Sequence, residues 1–302
     1  MPNALAPEPQ TFAGPSRLAR WASFVKLPHT VFALPFALVG VLLASFAHAV
    51  DARIVGWVIV AFTAARFAAM AFNRIVDRDV DAANPRTAMR ELPSGALGVR
   101  EAKLSVALAS AVFVAASALL NPLCLALSPV ALGWVFLYSY TKRFTRWSHL
   151  VLGLGLGIAP VGGYLAVTGR WSEPWWLICA LSLAVTAWVG GFDVFYSLQD
   201  ESFDRAHGLH SLPVAMGEAG AIRTARVLHV FAVAMLAAVA AGAPGGNAWI
   251  AFGVVVVAGL LLWEHRLVRP GDLSRLDAAF FTMNGIISLA FLGCVLAARL
   301  LA

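Results

Sequence analysis

Seven of the chain's sixteen acidic residues crowd into two short stretches: Asp77, Asp79 and Asp81, then Asp193, Asp200, Glu201 and Asp204. Asn73, Asp77 and Asp81 follow at i, i+4, i+8, which on a helix stacks them on one face and turns Asp79 away. Asp193, Asp200 and Asp204 follow at i, i+7, i+11 and again fall within about 40° of one another on a helix. Stacked carboxylates repel, by tenths of a kcal/mol per pair. A solvated helix end explains one such cluster, but a chain that builds two implies a cation that neutralises them. Hard oxygen donors without thiolates favour Mg²⁺ over Zn²⁺, and Mg²⁺ is typically held by a few carboxylates together with substrate phosphates. The candidate metal ligands are therefore Asn73, Asp77, Asp81, Asp193, Asp200 and Asp204. A diphosphate is the natural partner, with Arg74, Arg78, Lys142 and Arg143 as its basic clamp, although each of these bases also has a plain reading as a topology determinant.

Arg66 adds to this pattern. It precedes Asn73 by seven residues, so on a helix it lies on the acidic face, roughly 10 Å deeper in an apolar segment. A guanidinium at that depth is costly and generally serves a site or a buried pair. It is placed to grip an anionic substrate.

The elements that carry these residues are apolar. Of 302 residues, 60% are hydrophobic and 13% are charged, too few charges to cover a water-soluble globule of this size. The chain reads as an all-α polytopic membrane bundle with nine spans, approximately Val31–Val50, Ile54–Phe72, Leu104–Leu120, Pro122–Tyr140, His149–Val167, Trp175–Phe192, Val227–Ala243, Asn247–Trp263 and Ala278–Ala298. The alternating segments of a β-barrel are missing. Residues 1–30 read as a tail and interfacial segment, and 31–302 as the membrane domain. Met1 to Pro15 lacks the pattern of a signal peptide, and Arg17, Arg20, Trp21, Phe24 and Lys26 suit a short helix at headgroup depth.

The net charge of +6 does not point to nucleic acid. Eighteen of the 22 Lys and Arg residues fall on the side of the amino terminus, which the positive-inside rule places in the cytoplasm of a bacterial-type inner membrane. The same side carries two long polar loops, about Asn73–Lys103 and Asp193–Arg226, each ending in a Leu-Pro pair, Leu92-Pro93 and Leu212-Pro213. This is a faint hint of an internal repeat. Cys124, Cys179 and Cys294 stand singly and read as small core residues. His207 and His210 flank a glycine and read as loop, and His29 reads as an interfacial histidine.

These residues resemble the UbiA superfamily of intramembrane prenyltransferases. Its first motif, Asn-x-x-x-Asp-x-x-x-Asp, stands at Asn73, Asp77 and Asp81 and continues through Asn84-Pro85-Arg86-Thr87 to Arg90-Glu91-Leu92-Pro93. The second is similar at Asp193, Tyr196, Asp200 and Asp204. A third match is Tyr138 with Lys142, Arg143 and Thr145, and Arg66 supplies the arginine before the first motif. The resemblance implies a central cavity open to lipid, with Mg²⁺ and a polyprenyl diphosphate held by both aspartate motifs. It makes Asp77, Asp81, Asp193, Asp200 and Asp204 the catalytic set. Arg66, Asn73, Arg78, Tyr138, Lys142, Arg143 and Tyr196 would bind substrate, Arg66 through the carboxylate of an aromatic acid acceptor. His210 stands where ubiquinone-pathway members commonly carry Lys or Arg, and Pro28-His29-Thr30-Val31-Phe32 also differs from them. The branch it resembles is described as 4-hydroxybenzoate polyprenyltransferases, some acting on a dihydroxynaphthoate; haem or chlorophyll prenyltransferases are more distant alternatives. A transporter would distribute its ionisable residues through the bilayer instead. A CDP-alcohol phosphatidyltransferase would need an Asp-Gly and Ala-Arg signature that is absent.

Overall fold

The computed structural model describes residues 16–26, 30–244, 248–273, 275–276 and 282–301. The tail before Ser16, His29, Asn247 and Ala278 lie outside the described residues. Among those described, the chain is all helical, with one isolated bridge, Arg269 to Asp272.

A short helix, α1 (Arg17–Phe24), precedes α2 (Thr30–Ser45), α3 (Ala52–Val76) and a short α4 (Arg78–Ala83). Next come α5 (Val99–Leu120), α6 (Pro122–Thr141), α7 (Ser148–Thr168), α8 (Trp176–Ser197) and α9 (Glu201–Ala206). The chain closes with α10 (Leu212–Gly242), α11 (Ala248–Leu267) and α12 (Asn284–Leu300). Seven helices are long and apolar enough to cross a membrane, and α2 and α12 are shorter apolar helices. Each apolar block in the sequence thus folds as a helix.

Side chains make the ends legible. The Asp51 carboxylate accepts the Ile54 N–H at 2.8 Å at the start of α3, and the Asn121 side chain accepts the Cys124 N–H at 2.9 Å before Pro122 opens α6. Gly169, at φ 62°, ends α7 in the left-handed region. The helices pack through small residues. A methyl on Gly153 of α7 would stand 2.2 Å from the Thr186 carbonyl oxygen of α8, and one on Gly163 would stand 2.1 Å from that of Ala37 in α2. Helices that cannot rely on water to drive them together gain contact through such close backbone approach. The main core lies where α2, α8, α10, α11 and α12 meet, around Phe36, Trp188, Leu236, Leu261 and Phe291.

Two sequence expectations change. The stretch 193–226 is not a long loop: α8 continues to Ser197, a 3₁₀ turn spans Leu198–Asp200, and α10 begins already at Leu212. Hydropathy falls where these helices leave the apolar zone, while helical structure persists on both sides of a kink at Gly217 (φ 69°), so a polar run here is not a loop. The two Leu-Pro pairs also differ, Leu92-Pro93 lying in turns and Leu212-Pro213 opening a helix. The first helix also packs into the bundle. Trp21 stacks on Phe67 of α3, and Phe24 is fully buried.

Candidate active site

Neither aspartate motif lies on one continuous helix. The chain breaks at Asp77 (φ −94°, ψ 6°), between α3 and α4, and the second motif breaks at the 3₁₀ turn that ends with Asp200. These breaks let carboxylates from several turns face a single space. Asn73 Nδ2 donates to Asp77 Oδ2 at 2.8 Å, and Asp81 lies one turn on, 6% exposed. Asp79 points outward as the spacing predicted, 87% exposed in its side chain.

A polar cavity of about 220 Å³ is lined by Asp77, Asp81, Asp193, Asp200 and Asp204, with Lys142, Arg143, Tyr138, Tyr196, Asn73 and Arg66. Each carboxylate has a basic partner. Arg143 Nη2 reaches Asp77 Oδ1 at 3.2 Å, and Arg90 Nη1 reaches Asp81 Oδ1 at 2.6 Å, with Arg74 at 3.8 Å from Oδ2. Lys142 Nζ stands 3.8 Å from Asp204 Oδ2, and His149 Nδ1 is 2.7 Å from Asp193 Oδ2. Arg86 forks onto Asp200, Nε to Oδ1 at 2.8 Å and Nη2 to Oδ2 at 2.6 Å, while Asn84 Nδ2 adds 3.1 Å and Arg86 Nη1 donates to the Tyr196 hydroxyl at 3.0 Å. This fork ties the turns after α4 to the end of α8. It is the planar, bidentate geometry that suits guanidinium and carboxylate.

Arg78 is the exception among the expected residues. It pairs with its neighbour Asp79 at 2.9 Å, its side chain 45% exposed, and does not line the cavity. The break at Asp77 turns it outward with Asp79. The sequence reading missed Arg86, Arg90 and His149 as site residues. The first two lie in the motif continuation and carried a signal, because buried carboxylates in lipid require cations; His149, at the start of an apolar helix, carried none. His207 stacks on Phe203, and the His210 backbone N–H donates to the Lys142 carbonyl at 2.7 Å.

The electrostatics fit a mouth loaded with both signs. Burial raises the Asp77 carboxyl above its ordinary value and Asp81 adds to this, against Arg143, Lys142 and Asn73. Burial disfavours the Lys142 ammonium, but Asp204, Asp200, Asp193 and Asp77 outweigh it and raise that group above its ordinary value.

Behind this mouth lies an apolar cavity of about 420 Å³ between α2, α3, α5, α6 and α7. Arg66, Met70, Asn73, Tyr138, Leu152 and Leu156 line both spaces and form the neck between them. Arg66 Nε makes no hydrogen bond there.

The donor set tests well against Mg²⁺. Asp81 Oδ2 and Asp204 Oδ2 are buried without a hydrogen bond, as oxygens reserved for a cation would be. Among the described residues no three His, Cys, Asp or Glu side chains form a ready metal cluster.

The chain is a helical membrane bundle whose polar mouth, carrying both signs of charge, adjoins an apolar cavity, and residues 33–286 match the UbiA prenyltransferase family. The chain belongs to that family and is a prenyltransferase. It is 32% identical to the 4-hydroxybenzoate octaprenyltransferase of Aromatoleum aromaticum over 76% of this chain and 77% of the relative. To the enzyme of that name from Klebsiella pneumoniae it is 30% identical, over 78% and 82%. The fold is similar to that of a UbiA homolog from Aeropyrum pernix, with TM-score 0.81, 34% identity and coverage of 89% and 97%. A UbiA homolog from Archaeoglobus fulgidus bound to GPP and Mg²⁺ shares the fold, with TM-score 0.74, 20% identity and coverage of 93% and 99%.

Proposed function

We infer that the protein transfers a polyprenyl group from polyprenyl diphosphate to an aromatic acid of the 4-hydroxybenzoate type, with Mg²⁺, in ubiquinone or menaquinone biosynthesis. The observation that carries this reading is the neck: a diphosphate-sized polar mouth joined to an apolar cavity at Arg66, Asn73 and Tyr138. The relatives' names and the homolog bound to GPP and Mg²⁺ support it.

The diphosphate sits in the mouth and the isoprenoid in the apolar cavity, so the allylic C–O bond lies at the neck. Bound Mg²⁺ would neutralise the phosphate oxygens, held by Asp77, Asp81, Asp193, Asp200 and Asp204. Lys142 and Arg143 oppose the charge that grows on the leaving diphosphate as it departs with the bonding electrons. Arg78, turned outward, has no part in this. The apolar walls keep water from the allylic cation, and the Tyr138 ring at the neck offers it a π face. The acceptor ring attacks through carbon, and loss of the ring proton restores aromaticity. Arg66 holds the acceptor's carboxylate, its free Nε being the donor available at the neck. Tyr196, held by Arg86, positions the diphosphate side of the mouth.

Nine crossings, with the amino terminus and the mouth in the cytoplasm of the inner membrane, follow from the basic residues gathered on that side. The same chemistry on 1,4-dihydroxy-6-naphthoate is the second reading, favoured by His210 where ubiquinone-pathway members commonly carry Lys or Arg. Parallel assays of purified protein with one polyprenyl diphosphate and either acceptor decide between them. The primary reading predicts prenylated 4-hydroxybenzoate, and product from the naphthoate alone would replace it with the second.

A further inference from the structure

His149 begins α7, is fully buried, and does not line the polar cavity. Its Nδ1 lies 2.7 Å from Asp193 Oδ2, and its Nε2 faces the Leu212 backbone N–H at 3.4 Å. An amide N–H can only donate, so Nε2 is the acceptor there and Nδ1 is the donor that faces Asp193. Leu212 is the first residue of α10, where a helix N–H has no partner of its own. The imidazole therefore serves an orphan amide of α10 on one edge and a site carboxylate of α8 on the other.

This pairing sets Asp193 apart. Asp77, Asp81, Asp200 and Asp204 each face a guanidinium or ammonium, from Arg143, Arg90, Arg86 and Lys142. Asp193 is instead held through Oδ2 by an imidazole nitrogen, and the ion pair of Lys142 lies with Asp204. Asp193 is thus fixed in orientation through one oxygen.

We propose that His149 is a positioning residue that anchors Asp193 through Oδ2, so that the other carboxylate oxygen is presented to a divalent cation in the polar cavity. The proposal rests on the Mg²⁺ reading above. A carboxylate already held by a neighbour loses less freedom when the ion arrives, and partners that orient a ligand are typically worth 10- to 100-fold in metal affinity.

The test uses the full chain in detergent, Mn²⁺ as the spectroscopic probe, geranyl diphosphate and no acceptor, with binding read by electron paramagnetic resonance. His149→Leu should weaken Mn²⁺ binding about 10- to 100-fold, as should Asp193→Asn, while His149→Asn, whose amide N–H stands where Nδ1 stood, should stay within about threefold of wild type. The Mg²⁺ concentration needed for half activity should rise in step in His149→Leu, with KM for the acceptor unchanged. If His149→Leu fails to fold, His149→Gln, whose amide stands where Nε2 stood, takes its place and should bind more weakly than His149→Asn. Wild-type affinity in His149→Leu, or equal affinity in the Asn and Gln variants, overturns the proposal alone. Absence of Mn²⁺ binding by the wild type overturns the metal reading beneath it.

Discussion

Arg86 and Arg78 show how differently two neighbouring arginines act. Arg86 is buried on both oxygens of Asp200. Removing it leaves an uncompensated buried charge, so Arg86→Leu is expected to lose about 3–5 kcal/mol of stability, read as a lower unfolding midpoint in detergent. Arg78 pairs with Asp79 at the surface; such a pair is worth about 0–1 kcal/mol, and Arg78→Ala should keep activity within about twofold of wild type. The site's pH response follows from Asp77 and Lys142. On the proposed reading Asp77 acts ionised, and burial and Asp81 raise its value, so activity should fall with acid at a higher pH than an ordinary aspartate would give. Arg143 pulls that value down, so Arg143→Leu should move the acid limb to higher pH. Lys142, raised by its carboxylates, keeps its charge and its stabilising pairs below its unfolded value and loses them as pH rises through the higher folded one. A pH–rate profile of the two proteins checks both limbs. The aspartates and Lys142 were legible from spacing, because like charges repeated on one face need an explanation. His149 was not, since a lone histidine in an apolar run carries no period and its partner is forty-four residues away.

At the scale of elements, the distance between helices decides whether these pairs can form. Gly153 lies one turn from His149 on α7 and meets α8 at Thr186, two turns from Asp193. Gly153→Leu should push α7 from α8 and lower both unfolding temperature and activity, because a bulky side chain cannot enter a backbone contact of this closeness. Gly155→Ala, whose methyl would meet Val135 at an ordinary 3.6 Å, should change little. Thermal unfolding of the pair, followed with prenyl-transfer assays, separates these outcomes. The apolar blocks were readable as helices from hydropathy, because lipid demands internal hydrogen bonding. The breaks at Asp77 and at Leu198–Asp200 were not, because both local sequences suit a helix and tertiary pairs across the site decide where it stops.

For the whole molecule, the scarcity of charge acquires a location. The polar mouth holds opposite charges drawn from α3, α6 and α8 and from the turns around them, and the remainder offers lipid an apolar surface. On the proposed reading, diphosphate departure is the step the protein assists most, and it depends on a divalent ion. The direct test is prenyl transfer to 4-hydroxybenzoate by the purified full chain in lipid vesicles, with Mg²⁺, with a chelator, and with Mg²⁺ restored. The account predicts a fall of about a hundredfold or more with the chelator, recovery on restoring Mg²⁺, and a similar loss in Asp81→Asn that added Mg²⁺ does not repair. Full activity in the chelator, or in Asp81→Asn, would contradict it.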